Sequence, residues 1–317
     1  MTIALDAMGG DFAPKAVLEG AILASQFLGI GYKILLVGDQ EIIRSELTSL
    51  GANPDLFEIR HSPSIIEMGE HPAKAFAQKP DSSIAVGFGL LQSGEAHAFC
   101  SAGNTGAMMV GSMFTIKALP GILRPAIMGY LPKVRGNAGV LVDIGLNADC
   151  KPEQLNQFAE LGKVYAESVL EIPNPTVGLL NLGEEEQKGN ILTQAAYQLL
   201  KVNPNINFIG NIEGRDIFSN KADIVVCDGF VGNVITKMAE QFYDILNSRG
   251  VKDDFVSNFN YEVVGGSPIV GVDGNVVIGH GVSSPLAIKN LVLVAEKMIA
   301  SDMLNLLKRA LLKSVPS

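Results

Sequence analysis

Cysteine is scarce in this sequence: three in 317 residues, Cys100, Cys150 and Cys227, far apart and without a CxxC spacing. With four histidines and no close Cys/His cluster, no metal site is expected. The odd count and the lack of a disulfide framework fit a reducing cytoplasm. Long apolar runs are missing too. Residues 3–5 end at Asp6, far too short for a secretory h-region. Residues 96–116 carry no Asp, Glu, Lys or Arg over about the length of a membrane span, but SAGNTG at 101–106 interrupts them. That stretch reads as strand, turn and helix. A mean hydropathy of +0.27 and only 15 prolines argue against extensive disorder. Neither a P-loop lysine nor GxGxxG is present, so no nucleotide is implied. The net charge of −9 excludes nucleic acid as a partner of the molecule as a whole and disfavours anionic lipid, unless a local basic patch reverses it.

What is present is an alternation of strands and helices along the whole chain. Apolar segments at 2–5, 33–37, 57–60, 97–100, 139–143, 176–181, 207–209, 224–227 and 276–278 read as strands. Helices are expected over 14–28, 40–50, 82–92, 152–170, 184–201 and 233–247, with a Met-rich helix ending near 117. Ser284-Pro285 opens a long C-terminal helical region. Near-continuous apolar strands such as 140–142 and 224–227 indicate sheets covered on both faces, and the alternation points to parallel βαβ units. The length suits two domains or one large α/β unit; with no linker evident between two domains' worth of chain, the chain is expected to cross between lobes more than once.

In such sheets, ligands bind beyond the carboxyl ends of strands. Seven loops there combine Gly with Asn, Asp or Ser: 6–11, 101–106, 143–147, 181–184, 210–215, 228–233 and 279–283. Together they suggest one shared cleft; singly, each is a turn. In SAGNTG the glycines would let amides approach an anion, with hydroxyls from Ser101 and Thr105 and the following helix N-terminus behind them; a capped βα turn has the same composition. Residues 96–142 hold four cations, Lys117, Arg124, Lys133 and Arg135, and no acid. This is either a landing place for an acidic partner or anionic substrate, or four solvated cations.

Asp143, Asn147, Asp149 and Lys151 cluster between a strand and a helix, where capping competes with chemistry. The acids Glu184, Glu185 and Glu186 suit a first helical turn. Arg215 either clamps an oxyanion or pairs with a neighbouring acid. His280, between two glycines, is an acid–base group or a turn residue. Cys150 near a helix N-terminus is read as an inert thiol, and Met108, Met109 and Met113 as helix core. The C-terminal helix, with Leu304, Leu307 and Leu311 beside Lys308 and Lys313, reads as packing or dimer contact.

Several segments carry a resemblance: DAMGGD at 6–11, SAGNTGA at 101–107, Arg124-Pro-Ala, DIGLNADCKP at 143–152, VGLLNLGEEEQKGN at 177–190, FIGNIEGRDIF at 208–218, VVCDGFVGN at 225–233 and GGSPIVGVDG at 265–274. With them the sequence resembles the bacterial acyl-[acyl-carrier-protein]:phosphate acyltransferases of phospholipid synthesis over almost its whole length. The resemblance implies transfer of a long-chain acyl group from acyl carrier protein to inorganic phosphate. The acyl phosphate would then feed a membrane glycerol-phosphate acyltransferase. It also implies a homodimer, no cofactor, and an α/β fold like the isocitrate and isopropylmalate dehydrogenases, with mostly parallel sheets covered by helices and a cleft between two lobes. Residues 1–125 with 265–317 would form the large lobe, and 126–264 the second lobe with dimer contacts.

On this reading Asp6, Gly9, Gly10, Ser101, Gly103, Asn104, Thr105, Gly106, Asn147, His280 and Ser283 line the phosphate and substrate site. Lys151 and Arg215 supply charge, Asp228 and Asn233 orient, and Lys117, Arg124, Lys133 and Arg135 dock the acidic carrier protein. The implied location is cytoplasmic, with peripheral membrane association. Residues 245–264 are shorter than in many members, which carry membrane-suited helices there, so direct docking through this stretch is not implied. Ser267, and Gly145-Leu146-Asn147, are mild departures from the family pattern. Alternatives are a phosphate acyltransferase using acyl-coenzyme A, an NAD- and metal-dependent decarboxylating dehydrogenase, and a non-catalytic scaffold.

Overall fold

Residues 1–135 and 138–313 are described by a computed structural model. In chain order the strands are β1 (Thr2–Asp6), β2 (Lys33–Gly38), β3 (Glu58–His61), β4 (Ala98–Ser101), β5 (Ala126–Leu131), β6 (Gly139–Val142), β7 (Thr176–Leu180), β8 (Asn207–Ile212), β9 (Ile224–Val226), β10 (Ser267–Val270) and β11 (Asn275–Ile278). The helices are α1 (Lys15–Ser25), α2 (Gln40–Ser49), α3 (Pro72–Gln78), α4 (Ser83–Ser93), α5 (Thr105–Gly111), α6 (Pro152–Ser168), α7 (Ile191–Val202), α8 (Gly229–Ser248), α9 (Asp254–Ser257), α10 (Tyr261–Val264), α11 (Pro285–Ala300) and α12 (Met303–Lys313). Two compact units result, residues 1–118 with 261–300, and residues 119–260 with the chain from 301 onward. Each is an α/β unit with a mostly parallel sheet.

In the first unit the strand order is β3-β2-β1-β4-β11-β10, parallel except for the β10–β11 pair. The chain runs outward from β1 through β2 and β3, then returns to place β4 on the other side of β1. The carboxyl ends of β1 and β4 therefore form a topological switch point, where open α/β sheets bind ligands. The strands are apolar because helices cover them: Ile3, Ala4 and Leu5 are fully buried. Gly20 of α1 lets α11 approach until an added Cβ would lie 2.5 Å from Ile288 Cβ. Gly87 of α4 does the same for the Phe99 ring, which Phe88 meets edge-on at 4.9 Å. Burying each such large side chain contributes roughly 1.5–3 kcal/mol.

In the second unit the order is β5-β6-β9-β7-β8, antiparallel only between β5 and β6. Gly162 of α6 brings that helix against Ile224 of β9, and Leu131, Leu141, Ile212 and Val225 form a buried cluster.

Several expectations need correction. Glu184, Glu185 and Glu186 do not start a helix: α7 begins at Ile191, where Asn190 Oδ1 accepts from the Thr193 amide at 2.9 Å and Gly189, at φ +100°, breaks the preceding backbone. The long C-terminal helix divides at Asp302, whose φ is 54°. Its second half, α12, packs on α6 and groups with the second unit, whereas the sequence reading carried all of 265–317 with the first. Strands β5 and β10 and helix α3 were not foreseen. The charge-free run 96–116 is β4, a turn, α5 and a π turn over Ser112–Ile116. Among the described residues no helix is long and apolar enough to cross a membrane.

Candidate active site

The glycine-rich loops fall into two clusters, one at the carboxyl ends of each unit's strands. In the first unit the last residues of β1 and β4, Asp6 and Ser101, meet at the switch point. Ser101 Oγ donates to Asp6 Oδ2 at 2.7 Å and accepts from the Gly103 amide at 2.9 Å, while Asp6 Oδ1 accepts from the Met8 amide at 3.0 Å. Asp6 is 1% exposed, and burial raises its pKa against the opposing pull of these hydrogen bonds. This knot ties the loop after β1 to the loop after β4. Gly9 lies against it with no space for a side chain, and Gly10 takes φ +111°, a conformation glycine allows without strain.

The next residues start α5. Asn104 caps it, accepting from the Ala107 amide at 2.9 Å, and its Nδ2 donates to the carbonyls of Glu67, Met68 and Glu70. Thr105 is exposed at the first helical position. The amides of Thr105 and Gly106 belong to the first turn and have no acceptor within the helix. The loop after β11 closes the same cluster: Gly281 O accepts from the Asp11 amide at 2.8 Å, and buried Ser283 Oγ donates to His280 O at 2.6 Å. His280 is half-buried.

The sequence reading expected the Ser101 and Asn104 side chains to touch phosphate. They are engaged instead by Asp6, Gly103 and the 67–70 loop. That loop precedes α3, and the only sequence sign of it is the Pro72 helix start.

In the second unit Asp143, at the end of β6 and fully buried, is the anchor. Its carboxylate accepts from the amides of Ile127, Gly145, Leu146 and Asn147 and from Asn147 Nδ2. The peptide bond into Asp143 is cis. Asn147 Nδ2 also donates to Pro125 O at 2.8 Å, and its carbonyl accepts from the Gly229 amide at 2.7 Å. Asp228 caps α8 through the Val231 amide at 2.9 Å, and Asn233 Nδ2 reaches Ile144 O at 3.4 Å. In the sequence Asp143 stands as one member of a polar cluster; a strand-terminal Asp before a Gly-containing loop is the signal that marks it.

Lys151 is exposed at the start of α6. Arg215 is exposed and pairs with Glu213 at 2.5 Å. Burial, then the charges of Asp143, Asp228 and Asp149, push the Cys150 thiol up to about 12, which disfavours its thiolate at neutral pH. The carboxylates of Glu184, Glu213 and Asp216 come close enough to hold a cation, but Lys221 and Arg215 pair with them.

Of the four cations expected to dock an acidic partner, Lys117, Arg124 and Arg135 are exposed. Lys133 is not. It is 7% exposed, with Nζ donating to Ala222 O at 2.5 Å and Ile217 O at 3.3 Å, and burial lowers its pKa to about 8. Val134 and Arg135 bond to Phe218 O and Asn220 beside it, so the segment is laced to residues 217–222. A charge count cannot distinguish a lysine whose stem turns inward onto two carbonyls.

The chain matches the family model described as fatty acid synthesis protein over residues 1–255. It is 45% identical to the phosphate acyltransferase of Desulforamulus reducens, covering 98% of this chain and 97% of that one. It is 44% identical to the phosphate acyltransferase of Dictyoglomus turgidum, covering 94% of each. Among solved structures, the EutD phosphotransacetylase from Staphylococcus aureus superposes with a TM-score of 0.65 at 14% identity over 94% of each chain. A phosphotransacetylase from Streptococcus pyogenes gives 0.65 at 18% identity, over 95% of this chain and 94% of that one. At those identities the likeness concerns the fold alone.

Proposed function

The chain belongs to the fatty acid synthesis protein family, and from that premise we propose how it performs acyl transfer to phosphate. It is a phosphate acyltransferase of lipid synthesis. A long-chain acyl group on acyl carrier protein is the donor, and inorganic phosphate is the acceptor. The observation that carries the site assignment is the buried Asp6–Ser101–Gly103 knot at the switch point. It fixes two glycine loops and presents the Thr105 and Gly106 amides and the Thr105 hydroxyl to one anion. Asp6, Ser101 and Asn104 act as positioning residues; Gly9 and Gly10 allow the close approach; His280 and Ser283 shape the adjoining loop.

A phosphate oxygen attacks the thioester carbonyl carbon. The new C–O bond pushes the carbonyl electron pair onto oxygen as a tetrahedral oxyanion; its collapse restores the C=O bond, breaks the C–S bond, and the thiolate leaves to take a proton from water. Thiols have a pKa near ~8.5, so departure requires little acid assistance, and phosphate is already anionic at neutral pH. Catalysis then rests on positioning, roughly 7–11 kcal/mol when two reactants are held in line, and on stabilising the tetrahedral oxyanion, roughly 2.7–4 kcal/mol per well-placed donor. Lys151 and Arg215 are the proposed sources of positive charge in the second unit, with Asn147, Asp228 and Asn233 shaping the loops beside Lys151. Arg215 must exchange Glu213 for substrate to serve.

Lys117, Arg124 and Arg135 are proposed to dock the acidic carrier protein; Lys133 is withdrawn from that role. A homodimer is proposed through the second unit, supported by the exposed stripe Phe230, Val234, Met238, Phe242 and Ile245 along α8. We read the fold as isocitrate/isopropylmalate dehydrogenase-like, the location as cytoplasmic, and the consumer of the product as a membrane glycerol-phosphate acyltransferase. The test is mass detection of acyl phosphate from hexadecanoyl carrier protein and phosphate. Hydrolysis without acyl phosphate, or turnover confined to coenzyme A thioesters, contradicts the assignment.

A further inference from the structure

The reaction places a long acyl chain beside the phosphate loop, and the same helix that starts at that loop offers a track for it. One side of α5 is core: Ala107, Met108, Gly111 and, in the π turn, Ser112 and Ile116 are buried, with Gly111 against the Phe88 ring. The opposite side is different. From exposed Thr105 it continues through half-buried Met109 and Met113 to Phe114, which is 74% exposed, and ends at exposed Lys117; beside it Gly106 lies against Pro72 of α3, which packs on α5. No charged side chain interrupts it between Thr105 and Lys117. The sequence reading took Met109 and Met113 for helix core; only Met108 is.

The π turn contributes directly. The Lys117 amide bonds to Ser112 O at 3.0 Å, an i to i+5 closure. This wider turn slows the rotation of side chains around the axis and keeps Met113 and Phe114 on the side of Met109. Nine helical steps from Thr105 to Phe114 extend about 14 Å. That matches an extended alkyl segment of about eleven C–C bonds at about 1.25 Å each. Methionine is flexible and polarizable and adapts to apolar ligands of variable shape.

We propose that this face of α5 and its π turn carries the acyl chain of the substrate, with Met109, Met113 and Phe114 setting chain-length preference. The proposal rests on the acyl-transfer reading, because an acyl group reacting at the phosphate loop would lie beside the start of this helix. Its occupant is a long saturated acyl chain.

Two experiments test it. Wild type, Phe114→Glu and Met113→Glu are compared on hexadecanoyl and butanoyl carrier protein at saturating phosphate. The expected result is a fall of about tenfold or more in the ratio of long-chain to short-chain kcat/KM; an equal loss on both donors, or no change in the ratio, overturns the proposal. Independently, the chain contains no tryptophan, so Phe114→Trp is a single reporter on an exposed site. Hexadecanoyl carrier protein should shift its emission to the blue and butanoyl carrier protein should not. Equal emission with both donors overturns the track. If wild type forms no acyl phosphate at all, the transfer reading fails, and the fluorescence alone decides whether a long chain lies here.

Discussion

An alanine methyl at position 9 would sit 2.4 Å from Asp6 Oδ2, 2.7 Å from the Gly103 amide nitrogen and 2.8 Å from Ser101 Oγ. All three atoms belong to the buried knot, and all three distances are shorter than ordinary contact. The obstacle is steric rather than conformational, because Gly9 is not among the glycines with positive φ. Gly9→Ala must therefore part Ser101 from Asp6 or displace the Gly103 amide. A hydrogen bond to a buried carboxylate contributes about 1.5–3 kcal/mol. At about 1.4 kcal/mol per decade, loss of that ordering raises the phosphate KM by about 10- to 150-fold. The assay is acyl phosphate formation against phosphate concentration, with thermal unfolding followed in parallel. Ser101→Ala removes the same bond, so the double variant should bind phosphate no worse than Gly9→Ala alone. A folded Gly9→Ala protein with the wild-type phosphate KM refutes the role of the knot.

Asp143→Asn converts an acceptor of five N–H groups into one that must aim its own N–H₂ at some of them; unfolding by urea should show a loss of at least about 3 kcal/mol, and an unchanged midpoint contradicts the anchor. The Lys133 pKa falls from 10.5 to about 8 in the folded protein. The unfolded chain therefore holds more protons between those values, and stability should rise with pH from about 8 to 10.5 by roughly 1–3 kcal/mol. Lys133→Met should abolish that slope, as measured by urea midpoints at several pH values. Cys150, with its thiol near 12, should resist alkylation at pH 7.5 when modification is read by mass, and Cys150→Ser should retain turnover; loss of turnover restores the thiol as a candidate nucleophile.

Much of this architecture was legible in the sequence because its signals are local. Strands β1, β4, β6 and β9 each carry a short apolar run, and the polar loops after them fall at carboxyl ends in both units. Strands β5 and β10 are not legible because they pair antiparallel beside a β-neighbour and have no helix of their own to announce them. The site was legible in composition and less so in role. SAGNTG has the composition of an anion-type loop, but that Ser101 serves Asp6 and Asn104 serves the 67–70 loop depends on contacts 95 and about 35 residues away. Lys133 shows the same limit: its partners Ile217 and Ala222 are brought to it only by the folded second unit. The outer face of α5 could be found only from exposure, since Met108, Met109 and Met113 look alike in a sequence, and the π turn that aligns two of them leaves no compositional mark.

The measurement that bears most directly on the anion site is a crystal structure with bound orthophosphate, or with arsenate located by its anomalous signal. The anion should lie about 3 Å from the amide nitrogens of Thr105 and Gly106, with the Asp6–Ser101 pair intact beneath it. An anion bound elsewhere, with that loop vacant at concentrations that sustain full turnover, would contradict the account.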